Sequence, residues 1–194
     1  MGVCYFEQKE KLMKELRCDP TILYNCSCYD HQEWDVSAIT DFEGLFQNLE
    51  MDSNTSKMET WIVAQVTSMA SMFRGTTFPN GAEPGFLEKW NMQINVQENN
   101  VLTDTSYMFC ESNIVSVFHN EIAPYRNVLD MSNMFAHTPI QSIGRGIQTE
   151  SVENFDSMFL DTSTFGGSQV ANDYGTWCSS AKLEILNDFT LSCY

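Results

Sequence analysis

The feature that most constrains this chain is an octet that recurs five times. The copies are ITDFEGLF (39–46), VTSMASMF (66–73), LTDTSYMF (102–109), VLDMSNMF (128–135) and VENFDSMF (152–159). Each places apolar residues at its first, fourth, seventh and eighth positions, and only Thr105 departs from the pattern. The closing phenylalanines follow one another at 27, 36, 26 and 24 residues. Steps of three, three and one describe one face of a short helix. Recurrence at this period marks a repeat architecture.

A second element precedes the octets. Trp34 and Val36, Trp61 and Val63, and Trp90 and Met92 alternate at period two, as a half-buried strand requires. The later units lack the tryptophan, and NIVSVFH and PIQSIG are the apolar stretches left to supply strands four and five. The third unit is lengthened by the polar insertion NVQENN (95–100), and FPNGAEPG and TFGGSQ read as connecting turns. One strand and one short helix per unit cannot bury their apolar faces alone. Stacking successive units in parallel creates a continuous core, so the expected fold is an α/β solenoid of about five units, each with one short strand and one short helix. The octet Phe and Met residues then point inward from one side and the Trp/Val residues from the other. Glu33, Asp35, Thr60, Ile62, Lys89 and Asn91 line the open face of the sheet and are the candidate partner-binding residues.

The stretches WDVSAITDFEGLF and WIVAQVTSMASMF closely resemble the repeat of surface proteins of the bacterial BspA-like leucine-rich-repeat family, including its mycoplasma lipoprotein type. RGTTF (74–78) and LDTSTF (160–165) resemble the small-residue turn and second Phe that follow in that repeat. The resemblance covers about residues 33–165. It implies a leucine-rich-repeat-like solenoid used for protein binding, adhesion or assembly.

A stack of repeats exposes apolar core at both ends unless capped. YFEQKEKLMKELRCDP places Tyr5, Leu12 and Leu16 along one helical face, with Phe6 and Met13 beside it and Pro20 as the stop. The expected organisation is an N-terminal helical cap over 1–32, the repeats over 33–176 and a C-terminal cap over 177–194, in which WCSSAKLEILNDFTLSCY fits either a helix or a strand.

The chain is apolar enough, at 43% hydrophobic residues, to form a core despite a net charge of −16. Residues 1–17 hold four basic and three acidic side chains, net +1, whereas 18–194 hold six and 23, net −17. Such an acidic body repels phosphate backbones and anionic lipid, which points to other proteins as partners. No apolar run reaches the roughly 18–20 residues that span a bilayer, and the N-terminus shows neither a signal pattern nor a myristoylation motif.

Chemistry is sparse. Cys18, Cys26, Cys28 and His31 offer four metal donors, but the C-x-C spacing departs from the usual zinc knuckle. Disulfides among Cys4, Cys18, Cys26, Cys28, Cys178 and Cys193 compete with that reading, and with free thiols. Cys110 sits in a slot filled elsewhere by Gln47, Arg74, Ala136 and Leu160, and is expected to be unpaired. His31, His119 and His137 belong to no catalytic motif, and no serine lies in G-x-S-x-G. The aspartates of DFEG, TDTS and LDMS are read as helix-start residues favoured by the dipole. Neither a cofactor nor an enzymatic role is expected. The sequence points to a non-enzymatic interaction module, as a subunit of a larger assembly or as a cell-surface adhesion protein, with a small enzyme or zinc protein on the same scaffold as the further alternative. Seven cysteines are many for a cytosolic protein of this size and slightly favour an extracellular, cell-surface or lumenal compartment over the cytoplasm. The sequons at Asn25 and Asn54 are compatible with secretion but occur at a near-chance frequency.

Overall fold

A computed structural model describes residues 3–17, 33–51, 58, 61–79, 101–117, 127–140, 142–143 and 151–162. The regular elements are strand β1 (Val3–Tyr5), helix α1 (Lys9–Leu16), and strands β2 (Glu33–Asp35), β3 (Ser116–Val117) and β4 (Ser142–Ile143). β1 pairs with β2 in parallel, and β3 with β4. The latter two lie within the stretches NIVSVFH and PIQSIG.

The octets do not form the short helices that their spacing predicts. Each is a pair of tight turns. The third residue (Asp41, Ser68, Asp104, Asp130 or Asn154) uses its side-chain oxygen to accept the N–H two residues on, at 2.7–3.2 Å. This is the local bond that makes Asp, Asn and Ser turn formers. The expected role of the aspartates at a helix start is replaced by this turn. Next, the seventh-residue N–H donates to the fourth-residue carbonyl, as in Met72 to Met69 at 3.2 Å. Between them the sixth residue (Gly44, Ser71, Tyr107, Asn133 or Ser157) has a left-handed backbone, φ +53 to +63°. A positive φ at the third position of a four-residue turn is the type II signature. The second residue after each closing Phe (Asn48, Gly75, Glu111, His137 or Asp161) is again left-handed, φ +52 to +65°. The two turns direct the first, fourth, seventh and eighth side chains to one side, all of them buried, Thr105 included. That is why the apolar spacing imitates a helix.

Tight turns leave backbone groups free to bond laterally, and here they do so in order. From each octet the N–H groups of the fourth, sixth and eighth residues, and of the second residue beyond, donate to the next octet. Thus Met69, Ser71, Phe73 and Gly75 donate to the carbonyls of Asp104, Ser106, Met108 and Cys110. The same four bonds link every neighbouring pair, at 2.7–3.0 Å. Parallel bridges join the third residues in the order Asp41, Ser68, Asp104, Asp130 and Asn154.

Side chains follow the backbone. The rings of Phe46, Phe73, Phe109, Phe135 and Phe159 stack in one column with centroids 5.1, 5.5, 5.6 and 5.7 Å apart and planes within 8°. On the sheet side Trp34 stacks on Trp61 at 6.4 Å, and Trp61 in turn stacks on Phe46 at 6.0 Å. Trp61 therefore joins the two sides of the core.

At the N-terminal end Phe6 packs on Trp34 with centroids 5.3 Å apart, and Leu12 of α1 is fully buried. Tyr5 is not on a helical face with Leu12 and Leu16 as expected. It lies in β1, exposed, because alternation in a strand turns Cys4 rather than Tyr5 inward. The helix ends at Leu16, and Pro20 lies outside the described residues. Lys9 reaches from α1 to the first octet, bonding Asp41 Oδ2 at 2.6 Å and the Glu43 carbonyl at 3.1 Å. In every later octet the corresponding carbonyl accepts an N–H from the octet before it. The Lys9 ammonium stands in for that missing donor. The segment 177–194 lies outside the described residues.

Candidate partner-binding surface

The open face begins at β1 and β2, where the register sets Val3 beside Glu33, Cys4 beside Trp34 and Tyr5 beside Asp35. Trp34, Val36, Trp61 and Val63 are buried, so the residues between them turn outward. Ile62 is 54% exposed. Asp35 is half-buried, and its Oδ1 accepts the Ser37 N–H at 3.0 Å, which fixes the carboxylate at the edge of the strand. Glu33 is placed in β2 by its backbone. Thr60, Lys89 and Asn91 lie outside the described residues, as does the insertion 95–100. Of the six sequence-derived residues, the structure sets Glu33 and Asp35 in β2; residues 61–63 do not form the expected strand, and Ile62 turns outward from an irregular segment between the buried Trp61 and Val63. Val3 (57% exposed) and Tyr5 (53%) share this face and were missed. The alternation V-C-Y, three residues long, is too short a signal to separate from a helix start.

The turn side carries a different surface. Arg74 bonds Glu111 at 2.9 Å, and its guanidinium lies 5.5 Å from the centre of the Tyr107 ring. The hydrogen bond from Arg74 to Glu111 raises the guanidinium pKa further above its already high value, against the opposing effect of burial. His137 Nδ1 stands 3.4 Å from Asp161 Oδ2 in the following unit. Burial raises Asp41, but the hydrogen bonds from Lys9 and from the Glu43 N–H, with the Lys9 charge, outweigh it and hold the carboxyl below its ordinary value.

Cys110 is free and buried. Burial first, then the neighbouring Glu111, pushes its thiol above the usual pKa, which keeps it protonated and poorly nucleophilic. Cys4 is disulfide-bonded. Cys18, Cys26, Cys28, His31, Cys178, Cys193 and His119 lie outside the described residues. Among the described residues no three His, Cys, Asp or Glu side chains converge on a point that could hold a metal ion. No helix among them is long and apolar enough to cross a membrane.

Residues 21–138 and 85–182 match the family described as "Mycoplasma protein of unknown function, DUF285". No match was found among curated proteins or among solved structures.

Proposed function

The chain belongs to the DUF285 family, whose function is unknown; we propose that it is a non-enzymatic protein–protein interaction module, a structural or accessory subunit of a larger assembly, or alternatively a cell-surface adhesion protein. In this reading its scaffold is a leucine-rich-repeat-like solenoid of the BspA-like kind, and the partner meets the outward side of the strand face. The observation that carries the reading is the exposure of Ile62 between the buried Trp61 and Val63. Burying the exposed half of this side chain on association contributes on the order of 1 kcal/mol. The Asp35 carboxylate of β2 and the acidic character of the chain favour a partner segment that is apolar with a basic flank.

The test is the joint replacement of Asp35, Ile62 and Asn91 by alanine, followed by affinity purification of wild type and variant from the native source. The expected outcome is a variant with an unchanged circular dichroism spectrum that loses the proteins co-purifying with wild type. Full retention of those proteins moves the contact to the N-terminal helix or to the 95–100 insertion. Wild type recovered with stoichiometric zinc would favour the metal-protein alternative instead.

A further inference from the structure

We draw no further inference here: the strongest candidate, the turn-side surface patch in which the Arg74 guanidinium lies over the exposed Tyr107 ring and bonds Glu111, has its cation already matched by that carboxylate, and nothing in the structure shows what would cover it.

Discussion

The ring of Phe73 stacks on that of Phe109, with 5° between their planes and 5.5 Å between centroids, although the two lie 36 positions apart in the chain. The gap to Phe46 on the other side is 5.1 Å, across only 27 residues. The stack keeps its spacing while the connecting chain varies in length. What holds the register is the octet itself, through the four lateral bonds made by each copy.

Phe73 stacks between Phe46 and Phe109, and it also meets Phe78 at 5.5 Å. Phe73→Ala is expected to cost about 3–5 kcal/mol, from lost burial and the cavity left behind. Phe73→Leu keeps most of the volume and is expected to cost clearly less. Chemical denaturation of both variants measures this. Equal losses for the two would mean that volume does not set the energy at this site.

The repeat and its inward residues were legible in the sequence because burial imposes a strict apolar pattern, and the octets keep it at every position but Thr105. The outward turn of Ile62 followed from Trp61 and Val63 by period two. The local conformation was not legible from spacing, because two consecutive turns with left-handed residues face the core at the same positions as two turns of helix. The discriminating signal lay in the exposed positions. Gly44 and Asn133, then Asn48, Gly75 and Asp161, occupy left-handed sites, and these are the residue types that tolerate them. Ser71, Tyr107 and Ser157 dilute that signal. Strand β1 was hidden for another reason. Its pairing with β2 spans about 30 residues of sequence, and no local pattern encodes a contact of that range.

Gly75 provides a test of the turn. Its φ is +65°, and a Cβ there would collide with Asn48 Oδ1 in the preceding unit. Gly75→Ala is expected to destabilise by about 1–2 kcal/mol, the usual cost of a left-handed alanine. The clash itself is with the end of a movable side chain. Adding Asn48→Ala is therefore expected to recover only part of the loss, and thermal melts of the single and double variants separate the two contributions. A Gly75→Ala protein as stable as wild type would mean that the second turn is not left-handed.

Ser112 occupies the place where Thr138 and Thr162 bond the carbonyl of the closing Phe three residues earlier, at 2.7 and 2.9 Å. The Ser112 hydroxyl is buried and makes no such bond. A buried hydroxyl without a partner opposes folding, whereas one that is bonded supports it. Ser112→Ala is thus expected to be neutral or stabilising by up to about 1 kcal/mol, and Thr138→Val to be destabilising by about 1 kcal/mol. The sign of the Ser112→Ala change in urea unfolding decides the matter, and a clear loss of stability would mean that the hydroxyl has a partner.

Lys9 and Asp41 tie α1 to the first octet, and the tie has a definite pH dependence. The Asp41 carboxyl is held below its ordinary value in the folded chain. A carboxyl so lowered adds stability above its unfolded pKa, near 4, and loses it as pH falls through the lower folded value. The contribution is therefore complete at neutral pH and fades below about pH 4. Both side chains are partly exposed, which screens the pair and keeps the gain at or below about 1 kcal/mol. Lys9→Met removes the ammonium from Asp41 and from the Glu43 carbonyl while keeping the length of the chain. Its stability is expected to fall below wild type at pH 7, with the gap closing in part between pH 4 and pH 2 as Asp41 takes up its proton. The part that remains at pH 2 reports the bond to the Glu43 carbonyl, which does not titrate. Adding Asp41→Asn to both proteins checks the assignment: the stability gap between them should then no longer change with pH. A gap of constant size from pH 7 to pH 2 in the original pair would show that the carboxylate contributes nothing to holding the helix in place.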